Sequence, residues 1–146
     1  AANKGAKEAG GVSLGLTIML PHEQSRNKYL TDYRDFYYFF IRKVMLSFSS
    51  EAYIFFPGGF GTFDEFFEII TLVQTNKIEK VPIYLIGSAF WQPLEEFMRV
   101  HMLEKNSAID ESDLDLYTIT DDLTSVAEGI AAAPIRDGFR IPENYE

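Results

Sequence analysis

The most constraining stretch of this 146-residue chain is Glu51-Ala52-Tyr53-Ile54-Phe55-Phe56-Pro57-Gly58-Gly59-Phe60-Gly61-Thr62-Phe63-Asp64-Glu65. The apolar run Tyr53 to Phe56 predicts a buried strand of a parallel sheet. A turn with Gly58, Gly59 and Gly61 follows at once. Thr62 then opens a helical pattern through Phe63, Phe66, Phe67, Ile69, Ile70, Leu72 and Val73. Strand, glycine turn and helix start is an arrangement that binds phosphate. Glycines let backbone N–H groups approach an anion, and the free N–H groups and dipole of the helix start favour negative charge there. A second reading stays open: Thr62-x-x-Glu65 has the form of a capping box, with Glu65 doing no more than accepting the Thr62 backbone N–H. Glycines at such a turn can also be purely conformational. The string is neither a Walker loop, since no Gly-Lys-Ser/Thr follows, nor the Gly-x-Gly-x-x-Gly dinucleotide fingerprint.

The remaining elements alternate around this stretch. Ala1 to Ala9 reads as helix, ended by Gly10-Gly11 as a C-cap. Val12 to Met19 predicts a strand, and His22 to Tyr33 a polar loop that either covers a ligand or is a solvated connection. Asp35 to Ser47 is helical by pattern, with Phe36, Phe39, Phe40, Val44 and Met45 on a broad apolar face and Arg42-Lys43 in its second half. After the central helix, which runs to about Thr75-Asn76, Val81 to Ile86 is the next strand. A helix from about Phe90 to Lys105, an acidic loop from Asp110 to Asp115 and a short strand Leu116 to Ile119 follow. Asp121 or Asp122 caps a last helix, Leu123 to Ala132, and Pro134 to Glu146 reads as a tail. Strands alternating with helices predict an α/β, Rossmann-like, three-layer fold: a parallel sheet with helices on both faces. The expected organisation is one nucleotide-binding domain over 1–133 and a tail over 134–146. In such sheets ligands bind beyond the carboxyl ends of the strands, where the glycine turn lies.

Composition narrows the chemistry. Net charge is −9, from 22 acidic and 13 basic residues, which argues against a nucleic-acid or anionic-membrane surface. With no cysteine, thiolate metal sites, disulfides and cysteine nucleophiles are excluded. His22 and His101 form no metal motif, so no metal is expected. The sequence has no membrane-length apolar run and no signal peptide, so a cytoplasmic protein is the expectation.

The string Pro57-Gly58-Gly59-Phe60-Gly61-Thr62-Phe63-Asp64-Glu65 resembles Pro-Gly-Gly-x-Gly-Thr-x-x-Glu, the signature of the Lonely Guy (LOG) family, long labelled "possible lysine decarboxylase". Phe40-Ile41-Arg42-Lys43-Val44-Met45 resembles the family's Arg-Lys motif, at the family's spacing from the first. The resemblance runs from Ala1 to about Thr124, weaker after Trp91, and lacks the family's N-terminal βαβ unit with its first glycine-rich loop. It implies a phosphoribohydrolase that splits AMP or cytokinin riboside 5′-monophosphates into free base and ribose 5-phosphate without a cofactor. The family's catalytic Arg and Glu fall on Arg42 and Glu65, and its phosphate loop on Gly58, Gly59, Gly61 and Thr62. Lys43, Asp64 and Glu68 match supporting positions. Nothing suggests a pyridoxal phosphate lysine, so the decarboxylase label has no support in the residues. Two rival readings are a nucleotide- or cofactor-binding carrier of the same fold, and a catalytically inactive fragment.

The aromatic run Tyr37, Tyr38, Phe39, Phe40 continues Phe36 and wraps round a helix that has only one buried stripe of about 100°. Some of these rings must face outward, and large exposed apolar patches mark interfaces. The resemblance likewise implies a homodimer or larger homo-oligomer. Light scattering at micromolar concentration is expected to give at least twice 16.7 kDa, with Tyr37, Tyr38 or Phe67 at the contact. A compact monomer of that mass would sink this expectation.

Overall fold

A computed structural model describes residues 1–19 and 27–136. Residues 20–26, which include His22 and the first part of the polar stretch, and the tail beyond Arg136 lie outside the described residues. The chain forms two compact units, Ala1–Ser49 and Ser50 onward. Both are mixed α/β with parallel strands, in the Rossmann-like class expected.

In the first unit α1 (Ala2–Glu8) ends as the glycines predict. Gly10 takes φ 74°, its N–H donates to Lys7 O at 3.1 Å, and the Gly11 N–H donates to Ala6 O at 2.8 Å. This paired closure satisfies the last helical carbonyls and needs the left-handed backbone that glycine adopts freely. β1 (Leu14–Ile18) then pairs in parallel with β2 (Asp32–Phe36), Leu14 opposite Asp32 and Ile18 opposite Phe36. Strand β2 corrects the expected loop and helix start: the helix, α2, begins at Phe39 and runs to Ser49. Phe36 has helical spacing to Phe39 and Phe40, which disguises it. Its carbonyl instead accepts the Met19 N–H at 2.9 Å, extending the parallel ladder. Tyr37, Tyr38, Phe39 and Phe40 are all exposed.

The second unit is a three-stranded parallel sheet in the order β3 (Tyr53–Phe55), β4 (Ile83–Ile86), β5 (Thr118–Thr120). Tyr53 lies opposite Ile83, and Tyr84 opposite Thr118. Central β4 is the most apolar strand, with Ile83, Leu85 and Ile86 buried, as a strand flanked and covered on both faces should be. α3 (Phe60–Gln74) buries Phe66, Ile69 and Val73, the i, i+3, i+7 stripe of a surface helix. Phe66 is fully buried, with ring centroids of Phe55, Trp91 and Tyr117 at 5.6, 5.6 and 5.5 Å. The Trp91 indole N–H donates to Ile86 O at 3.1 Å, giving the buried ring its polar partner. Burial, with the Glu95 carboxylate beside it, pushes the Tyr117 phenol up.

α4 (Ser88–Phe97) starts earlier than the apolar pattern suggests and continues as a π-helical segment, Met98–Glu104. The Lys105 N–H donates to Val100 O at 3.1 Å, an i→i−5 bond. The acidic stretch expected to be a solvated loop is a 3₁₀ helix, Glu111–Leu116, begun by a capping box of Asp110 and Asp113. This ordered turn delays β5 to Thr118. α5 (Leu123–Ala132) is capped by Asp122, whose carboxylate accepts the Thr124 and Ser125 N–H groups at 2.9 and 3.3 Å.

α5 lies so close to the sheet that only glycine fits at position 129. A Cβ there would stand 2.1 Å from the Tyr84 hydroxyl oxygen and 3.3 Å from Cζ. A helical Gly→Ala change ordinarily stabilises by about 0.4–1 kcal/mol. Gly129→Ala is expected to destabilise by about 1–3 kcal/mol instead, as overpacking does. In a Tyr84→Phe background the obstructing oxygen is gone and the penalty should largely vanish. Urea denaturation of the four proteins checks both statements; equal penalties in the two backgrounds would refute the contact.

Candidate functional site

Because β3, β4 and β5 are parallel neighbours, the turns that follow them lie along one edge of the sheet. These are the Pro57-Gly58-Gly59 turn into α3, the Gly87 turn into α4, and Asp121-Asp122 before α5. All three helix N-termini therefore point their first N–H groups at this edge, where parallel sheets bind ligands.

They are not equivalent. α5 is capped by Asp122. At α4 the N-cap is Gly87 at φ 99°, and Asp121 supplies the acceptors from the neighbouring turn. Its Oδ1 accepts the Gly87 and Ser88 N–H groups at 2.9 and 3.0 Å, and its Oδ2 accepts the Ser88 hydroxyl. The Ser88 hydroxyl, the Ser88 N–H and the Gly87 N–H hold the Asp121 carboxyl below its ordinary range. At α3 no side chain caps the helix.

The start of α3 bears on the capping-box reading of the glycine turn. The N-cap is Gly59, in extended conformation (φ −97°, ψ −158°), and the first helical residue is Phe60. Thr62 is thus inside the first turn, where it cannot serve as the N-cap of a box with Glu65, and that alternative is set aside. Phe60 is 95% exposed, so the buried periodicity starts only at Phe63 and conceals the first turn in the sequence. The Thr62 and Phe63 N–H groups both donate to Gly59 O, at 3.0 and 3.2 Å. The Thr62 N–H is thus engaged within the turn, while the Phe60 and Gly61 N–H groups form no backbone bond among the described residues.

The glycines have different structural reasons. A Cβ on Gly58 would meet Thr62 Oγ1 at 2.1 Å and Thr62 Cβ at 2.9 Å, so the Thr62 side chain folds back over Gly58 only because that position is bare. Gly59 and Gly61 would meet nothing within 4 Å, and neither has a positive φ. Neither packing within the chain nor backbone conformation asks for glycine at 59 or 61; what a side chain there would fill is the space in front of the helix start.

Of the residues expected at the site, Gly58, Gly59, Gly61 and Thr62 come together in this one turn. Asp64, Glu65 and Glu68 follow on α3, Glu65 and Glu68 half-buried and Asp64 exposed. Arg42 and Lys43 belong to the first unit, both half-buried on α2, with the Arg42 guanidinium 5.9 Å from the Phe39 ring centroid. Among the described residues no group of His, Asp and Glu is arranged to hold a metal ion. Asp121 is the residue that pattern reasoning assigned only a local role: the Asp-Asp pair after β5 signals capping, but which helix each carboxylate caps depends on strand order.

Two substitutions separate these reasons. Gly58→Ala forces Thr62 aside and is expected to destabilise by about 1–3 kcal/mol. Gly59→Ala meets no steric obstacle and should cost less, about 0.5–1 kcal/mol, because alanine is a poorer N-cap than glycine. Thermal denaturation checks the pair; equal losses at both positions would contradict the geometry.

No helix among the described residues is long and apolar enough to cross a membrane. Among known proteins, the family model described as "Possible lysine decarboxylase" matches residues 1–130. No curated protein matches the chain. The match spans most of the chain and contains both the glycine turn with its Glu and the Arg-Lys pair, so the chain belongs to the possible lysine decarboxylase, or Lonely Guy, family.

Proposed function

We propose that this chain is a nucleoside 5′-monophosphate phosphoribohydrolase. The observation that carries the reading is the start of α3: an uncapped helix N-terminus at the carboxyl edge of a parallel sheet, fronted by open space at Gly59 and Gly61. Free N–H groups and the helix dipole there suit a phosphate monoester. Family membership supports the same ligand class.

With the phosphate on this turn, Glu65 in the second turn of α3 is in the part of the site that meets the sugar. Water attacks the ribosyl anomeric carbon, the carbon–nitrogen bond breaks, and the base leaves with its electron pair and takes up a proton. Positive charge builds on the anomeric carbon and ring oxygen during cleavage, and a fixed carboxylate stabilises it or orients the water. Arg42 is assigned to the phosphate or the departing base, and Lys43, Asp64 and Glu68 to support. The substrates proposed are AMP or a cytokinin riboside monophosphate. A homo-oligomer fits the exposed Tyr37 and Phe40, 68% and 64% accessible.

Incubation with a nucleotide panel followed by liquid chromatography is expected to show free base and ribose 5-phosphate. Glu65→Gln should retain nucleotide binding and lose about 10²–10⁴-fold in base release, the range for one charged catalytic group. Gln keeps the length and shape of the Glu65 side chain, so the variant is expected to fold, which its melting temperature checks. Near-normal turnover in that variant would remove Glu65 from the chemistry. Binding without base release in the unmodified protein would instead assign it to the non-catalytic carriers of this fold.

A further inference from the structure

The carboxylate of Asp121 reaches across from the β5–α5 turn to the start of α4, and the chain of contacts continues beyond it. Asp121 holds the Gly87 and Ser88 N–H groups and the Ser88 hydroxyl. Gly87, fixed in the left-handed region at φ 99°, lies directly beneath the Pro57 ring: a Cβ there would stand 3.0 Å from Pro57 Cγ and 3.4 Å from Cδ. Pro57 is the first residue of the glycine turn. The three turns at the carboxyl edge are thus linked in series, from Asp121 through Gly87 to Pro57.

We propose that Asp121 is a positioning residue for the phosphate-binding turn, acting through Gly87 and Pro57; this rests on the reading of that turn as a phosphate site. Gly59 and Gly61 are open to solvent and make no close contact that would hold the turn. Support comes from two sides: the Thr62 side chain over Gly58, and the Pro57 ring on Gly87. The second support keeps its place only while the Gly87 backbone keeps its conformation, and three hydrogen bonds to one carboxylate fix that conformation. Asp121 also fills the anion-binding capacity of α4, leaving α3 as the uncapped N-terminus of this sheet edge.

The test compares the unmodified protein with Asp121→Ala, Asp121→Asn, Pro57→Ala and the Asp121→Ala/Pro57→Ala double variant. AMP and inorganic phosphate affinities are measured by calorimetry, and KM and kcat by base release. Asp121→Ala is expected to weaken AMP binding and raise KM by roughly tenfold, with kcat within about twofold. Asp121→Asn keeps an oxygen able to accept both N–H groups and should recover affinity to within about threefold. Pro57→Ala should weaken binding as Asp121→Ala does, and the double variant should lose no more than either, because both cut one linkage. A lower melting temperature for Asp121→Ala with unchanged affinity would reduce Asp121 to a structural cap and overturn the proposal. So would additive losses in the double variant. If Asp121→Ala does not fold, the Pro57→Ala affinity decides, since that change leaves the Asp121 hydrogen bonds in place. Unmodified protein that binds neither AMP nor phosphate would overturn the phosphate-site reading itself, and with it this proposal.

Discussion

The second unit depends on the burial of Phe66. Its ring meets one aromatic side chain from β3, one from α4 and one from the lead-in to β5, so a single side chain sets both the rotation and the height of α3 over the sheet. Truncating such a ring typically costs about 3–5 kcal/mol. With Phe66, Ile69 and Val73 turned inward, the helix start is carried to the carboxyl edge, and Glu65 and Glu68 are turned off the buried stripe. Packing and chemistry are therefore not separate layers here: the same three side chains that close the core decide where the N-terminal amides point.

Electrostatics at that edge are arranged by subtraction. The chain carries a net charge of −9, and a surface of that sign would repel a phosphate at any distance within a Debye length. Two aspartates at the edge are nevertheless turned onto neighbouring helix starts, where their charge is offset by N–H groups. The field of α3 is left uncompensated by any capping side chain. Of the three helix starts at this edge, that of α3 alone has no carboxylate turned onto it as a cap.

Much of this was legible in the sequence. Strand, glycine turn and helix announce themselves because the glycines, the apolar run and the aromatic periodicity each have a local cause. The first helix end was legible for the same reason, since Gly10-Gly11 supplies the backbone that closure needs. Failures came where the cause is non-local. Asp32 to Phe36 has no strong strand propensity and is extended because β1 offers it a ladder. Thr62 has ideal cap chemistry, yet Gly59, with no side chain at all, is the N-cap, because Phe60 extends the helix into solvent. Asp121 was recognised as a capping type, but its target is a helix more than thirty residues earlier in the chain, which only the strand order reveals.

The residues just after α5 close a circuit. Arg136 donates its backbone N–H to Glu51 at 2.9 Å and its guanidinium to the Ser50 carbonyl, joining positions 85 and 86 residues apart. Within the second unit, Ser50 and Arg136, the first and last of its described residues, therefore lie side by side. Such a unit is a natural candidate for circular permutation: a short peptide could join the region of Arg136 to that of Ser50. New ends could open at the exposed turn around Asn76, which sits at positive φ outside every strand and helix. Its topology behaves as a ring in which sequence order is a convention, while the glycine turn keeps its neighbours whichever residue comes first.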